Sequence, residues 1–142
     1  MLQNKLSWDE IKEIISKKEL HKFGRLEDEL ERYKEYIESS KKTHGTVFNL
    51  MSFILYGKPL NEIYNKNLPF RDPIFRRNDF PYAIEDNVEH YLIWSLTKMT
   101  NKKEIIKFIE ENVGDKQYVW TVNPHFLQSI PEIFHVHVFV KK

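Results

Sequence analysis

A strict two-residue alternation near the C-terminal end constrains this chain more than any other feature. In Ile130-Pro-Glu-Ile-Phe-His-Val-His-Val-Phe-Val140, an extended backbone sends Phe134, Val136, Val138 and Val140 to one side. Ile133, His135, His137 and Phe139 go to the other. The all-apolar row fits a strand that buries one face against a core. The same alternation sets two imidazoles side by side on the opposite face. Histidine titrates near neutrality and serves as nucleophile, acid, base or metal ligand. The plainer alternative is a strand that carries two half-exposed histidines and no chemistry.

A chain of 142 residues is long enough for one domain with a real core and short for two. It reads as a single domain over 1–142, with a helical part (1–66) and an α+β part (67–142). A net charge of +1 gives no global field to draw nucleic acid. The absence of cysteine excludes both a disulfide scaffold and thiolate chemistry. Four scattered glycines exclude a Walker-type loop and a Rossmann fingerprint. No run reaches the apolar length of a membrane span, and the opening MLQNKLSWDE lacks a signal-peptide core. The expected location is therefore cytoplasmic, with no membrane partner.

The first half has helical periodicity. Ser7 and Glu10 form a capping box ahead of an apolar face at Trp8, Ile11, Ile14 and Ile15. A second helix is expected from about Leu20 to Ser39, striped by Phe23, Leu26, Leu30, Tyr33 and Ile37, with Gly24 as a break. Its charged residues mark a solvated face. A loop over 40–45 then precedes a third apolar helix over 47–56, and a short helix is expected from Pro59 to about Asn65. After the Pro-rich crossing 67–73 the character changes. Aromatic and branched residues predict strands over 88–95, 117–123 and 132–141. Between the first two, Thr100 or Asn101 caps a helix that Gly114 closes. The fold class is α+β, an antiparallel sheet in the C-terminal half packed with the N-terminal helices.

Several blocks carry a resemblance. Arg77-Asn-Asp-Phe-Pro-Tyr-Ala-Ile84, Glu89-His-Tyr-Leu-Ile-Trp-Ser95, Trp120-x-x-Asn123, Leu127-Gln-Ser-Ile130 and His135-Val-His-Val138 occur in that order. The set resembles the fungal N-acetylglucosamine-induced protein family, a family of unknown function. It departs from that pattern at Phe80 and Ala83, where the family has Trp and Gly. The resemblance brings no biochemistry with it.

The tail from Gln128 to Phe139 also resembles the histidine-triad superfamily, with a Pro-x-aromatic lead-in similar to the scavenger mRNA decapping enzymes. That resemblance implies a histidine-triad-like sheet whose cleft takes a nucleotide or other phosphorylated small molecule, an RNA cap included, and needs no cofactor. Carried over residue by residue, it implies His137 as nucleophile and His135 as its partner. Asn78, Asp79, His90, Asn123, Gln128 and Ser129 would line the ligand. Phe139 occupies the place of the third histidine, and Phe can neither donate a proton nor hydrogen-bond a phosphate.

Three readings therefore remain. The cleft binds a phosphate ester without catalysis; or His137 drives a phosphate-ester or nucleotidyl hydrolase or transferase; or the domain is a protein-interaction module with no small ligand. A zinc site built from His135, His137 and one of His90, His125 or an acidic residue is a further arrangement that strand spacing permits, although the expectation is of no metal. Arg71, Arg76 and Arg77 suit bidentate phosphate contacts, but equally suit surface pairs with Asp72, Asp79 or Glu85.

Overall fold

The computed structural model describes residues 2, 4–44, 54–55, 73–95, 98–124 and 133–142. Helix α1 (Trp8–Lys17) begins at the expected capping box: Ser7 Oγ accepts from the Glu10 amide, and the Glu10 carboxylate accepts from the Ser7 amide. It ends on Lys18 in the left-handed region at φ 56°. A single 3-10 turn (Leu20–Lys22) follows, and α2 (Glu27–His44) starts after the non-helical residues 23–26. The break at Gly24 is thus real. α2 also continues through the stretch expected to be a loop, because Lys41, Lys42 and Thr43 are tolerated on an exposed helix. Of the helix expected over 47–56, Ile54 and Leu55 are described and are helical. The expected helix 59–65 lies outside the described residues.

The C-terminal half supplies strands β1 (Ile74–Arg77), β2 (Val88–Ser95), β3 (Tyr118–Thr121) and β4 (Phe134–Lys141). They form an antiparallel sheet in the order β1-β2-β4-β3. Helix α3 (Lys102–Val113) joins β2 to β3, with Asn101 accepting from the Lys103 amide at its start and Gly114, at φ 65°, at its end. The class is α+β, with the helical half first and the sheet second. β1 is an addition to the expected strands. No described helix is long and apolar enough to cross a membrane.

β4 is central, and both of its faces are covered. On one face Val136, Val138 and Val140 pack with Ile93 of β2 and with Ile105 and Ile109 of α3; Phe134 is half-buried beside them. The other face was expected to hold histidines at a cleft surface. Instead, His135 and His137 are 6% and 5% exposed, and Phe139 is fully buried. The stripe of α1 closes one end of this face, since Trp8 and Ile11 pack with Val88 and Phe139. Ile54 and Leu55 pack against Leu92, Trp94 and Ile133 at the other end. Between those two apolar clusters the face is polar.

Backbone bonds fix what borders that polar band. The Leu2 amide donates to the Arg25 carbonyl (2.9 Å), and the Ala83 amide to the Gly24 carbonyl (2.7 Å). The Leu6 amide donates to the Ala83 carbonyl, and the Glu85 amide to the Leu6 carbonyl, each at 2.9 Å. Three segments distant in sequence are thereby laced together beside β2, which positions Tyr82 over the sheet.

Candidate functional site

Four side chains and one backbone amide make a closed circuit on the covered face. The Tyr82 amide donates to His90 Nδ1 at 3.1 Å. His90 Nε2 lies 2.9 Å from His137 Nδ1. His137 Nε2 lies 3.1 Å from the Asn123 carboxamide, which in turn lies 3.0 Å from the Tyr82 hydroxyl. The register explains the meeting: His90 pairs with Phe139, so His137 is its diagonal neighbour on the same face.

Proton positions follow from the one partner that cannot change role. A backbone N–H only donates, so His90 Nδ1 carries a lone pair, and neutral His90 holds its proton on Nε2. It donates that proton to His137 Nδ1, which leaves His137 protonated on Nε2. His137 Nε2–H then needs an acceptor, so the carboxamide oxygen of Asn123 belongs at this contact, a half-turn of two near-isosteric ends. The same oxygen accepts from the Tyr82 hydroxyl.

Both histidines are neutral. Burial, then the neighbouring His135 and the cation of Arg25, push His137 down to about 3. Burial, then His137 and Arg25, hold His90 well below the ordinary imidazole range. His135 stands apart from the circuit. Its Nδ1–H donates to the Ile133 carbonyl (2.9 Å), and its ring packs on Trp94 with centroids 4.9 Å apart. Burial lowers its pKa, opposed by the bond to Ile133. Its Nε2 therefore carries a lone pair, with no hydrogen bond to any described residue.

The site residues expected from sequence divide into three groups. His90, His137 and Asn123 share the circuit, with His135 as edge-on neighbour, its ring 5.6 Å from that of His137. Asn78 borders it: its Oδ1 accepts from the Phe80 amide at 2.9 Å, and its Nδ2 lies 3.5 Å from His90 Nδ1. Asp79 points away, exposed and paired with Arg76 at 3.3 Å, which is the surface pairing foreseen as an alternative for that arginine. Gln128, Ser129, His125 and Arg71 lie outside the described residues. Among the described residues, no three His, Asp or Glu side chains converge as metal ligands.

Tyr82 and Arg25 are the participants that sequence reasoning passed over. Tyr82 supplies both the fixed donor and the hydroxyl that closes the circuit, and its ring stacks on His137 with centroids 5.3 Å apart. It stands in one of the blocks singled out from the sequence, yet only the fold turns its amide toward His90. Phe139, at the place of the third histidine, lies between Phe23 (5.0 Å) and His90 (4.5 Å).

Comparison with known proteins places this chain among fungal relatives. A family model described as a protein of unknown function (DUF3605) matches residues 7–141. An uncharacterized protein of Saccharomyces cerevisiae, YPL067C, is 27% identical over 156 residues, spanning 94% of this chain and 77% of its own length. N-acetylglucosamine-induced protein 1 of Candida albicans is 27% identical over 172 residues, spanning 95% of this chain and 68% of its own. The crystal structure of HTC1 superposes with a TM-score of 0.68 at 26% identity, covering 96% of this chain and 85% of that one. The resemblance to the N-acetylglucosamine-induced proteins is thus borne out.

Proposed function

We propose that this chain, which belongs to the DUF3605 family, is a small domain that binds a nucleotide or other phosphate ester on the His135 side of the histidine face, without turnover by His137. The observation that carries the reading is the division of labour between the two histidines. His137 has both ring nitrogens engaged in a buried, neutral circuit, so it has no lone pair with which to attack phosphorus. His135 keeps one nitrogen clear of that circuit. A phosphate oxygen placed against Nε2 favours the imidazolium, which then donates at both nitrogens. The order of the sequence blocks, which resembles that of histidine-triad proteins, supports the same ligand class.

The test is a binding panel of dinucleotides, cap analogues and sugar nucleotides, each reaction also analysed for product. Saturable, product-free binding that weakens in His135→Ala is the expected result, with affinity rising as the pH falls toward 6. A panel with no binder overturns the reading.

A second reading rests on the same tautomer. A lone pair on His135 Nε2, with Nδ1–H held by a carbonyl, is also the form of a nucleophile or general base. Product that forms in the wild type and disappears in His135→Ala would assign the domain to catalysis.

A further inference from the structure

Among the described residues, one cation beside the circuit makes no ion pair, although the charge of Glu29 acts on it. Arg25 is half-buried in the crossing between the 3-10 turn and α2. Its Nε donates to the Phe80 carbonyl at 3.0 Å. Its Cζ lies 4.0 Å from the centroid of the Tyr33 ring and 5.3 Å from that of Tyr82. These contacts hold the plane of the guanidinium in place yet use one of its five N–H donors. Glu29, the carboxylate whose charge acts on Arg25, pairs with Arg32 at 2.9 Å. No described carboxylate reaches Arg25.

Withdrawing a guanidinium from water without an anion is costly, and ring faces offset that cost only in part. Burial accordingly pushes the Arg25 pKa down. A fixed, partly desolvated fork whose two terminal nitrogens bond to no described residue is what bidentate recognition of an oxyanion requires. We infer that Arg25, held by Tyr33, Tyr82 and the Phe80 carbonyl, is an anion-binding site that takes a phosphate group, free or esterified, on its terminal nitrogens.

This site goes beyond the His135 reading, because it uses none of the histidines as ligands. It also couples to them. The Arg25 cation is one cause of the low pKa values of His90 and His137, so neutralising it with an anion eases protonation of the circuit.

Titration of the full chain with inorganic phosphate, and separately with AMP, at constant ionic strength tests the assignment. The readout is the Arg25 Nε–Hε resonance together with the Phe80 and Tyr82 amides. Saturable shifts are expected for at least one of the two anions. They should weaken by about 10- to 100-fold in Arg25→Lys, which keeps the charge and loses the fork, the scale of one charged hydrogen-bonded contact. Tyr33→Leu should weaken binding while leaving Arg25 in place, so the assignment stays testable if a variant at position 25 fails to fold. Shifts that never saturate with either anion, or equal affinities in wild type and Arg25→Lys, overturn it. The outcome also separates the two sites. Nucleotide binding that depends on His135 but not on Arg25 leaves the function above standing and removes this inference. Arg25-dependent binding of phosphate, in a protein that ignores every nucleotide, does the reverse.

Discussion

Lowering the pH from 7.5 to 5.0 in a denaturation series probes the buried histidine pair directly. In the unfolded chain a histidine takes up its proton near pH 6.5. In the folded chain His137 does so only at about 3, and His90 is also held well below its ordinary value. The unfolded state therefore binds more protons than the folded state across this window. Their stabilising contribution is complete above about pH 6.5 and drains away as the pH falls from there. For His137 those two pKa values cost about 2 kcal/mol between pH 7.5 and 5.0, and His90, also depressed, adds a loss of the same sign. Against a typical domain stability of about 5–15 kcal/mol, a loss of that size is readily measured.

His135 adds a loss of the same sign, since its pKa is lowered too. The depressed carboxylates Glu13, Glu19 and Glu89 are lost at lower pH, so stopping at 5.0 keeps most of their contribution out of the measurement. Urea unfolding followed by the fluorescence of buried Trp8 and Trp94 supplies the free energy at each pH. His137→Gln should be less stable at pH 7.5, yet its stability should fall less steeply with pH, by about one histidine's share. A flat profile in the wild type, or identical slopes in the two proteins, refutes the neutral buried pair.

Two further outcomes follow from packing and backbone geometry. Ile11 is fully buried where α1 meets Phe139 and Val88, so Ile11→Ala should cost about 2–5 kcal/mol in urea unfolding; a loss near zero would mean that α1 does not dock on the sheet. Lys18 ends α1 in the left-handed region, which costs a residue with a Cβ about 1–2 kcal/mol, so Lys18→Gly should raise the thermal midpoint. A fall would show that the lysine side chain contributes more than its backbone strain removes.

What the sequence made legible was local. The alternation at 134–140, the Ser7–Glu10 box and the Asn101 and Gly114 ends of α3 each rest on neighbours within a few residues, and each was found where expected. What it hid was long-range. An apolar stripe on α1 says that Trp8 and Ile11 need a partner, but not that the partner is the histidine face of β4. Two histidines expected at a cleft surface are instead buried, His137 against Tyr82 and His135 against Trp94. β1 was missed because four residues that include Arg76 and Arg77 have little strand character; pairing with β2 makes them one. Arg25 was invisible because its anchor, Phe80, is 55 residues away, and nothing local sets it apart from the other basic residues. Of the candidate site, His90, His137 and Asn123 were readable as residue types in ordered blocks. The proton order that distinguishes His137 from His135 was not, since it depends on the amide of Tyr82.

Closure of the circuit also accounts for the residue that most separates this chain from a three-histidine motif. Position 139 lies on the same face as His135 and His137, directly across from His90. His90 already spends Nδ1 on the Tyr82 amide and Nε2 on His137. An imidazole at 139 would enter a fully buried slot walled by Phe23, Tyr82 and His90. There its nitrogens would meet ring faces and no free acceptor, the arrangement that makes a buried polar group most costly. Phe fills the slot and gives α1 and Phe23 an apolar surface to close against. A phenylalanine at 139 and the burial of His135 and His137 are therefore one structural fact: the apolar slot and the buried polar layer beside it close the same face of β4.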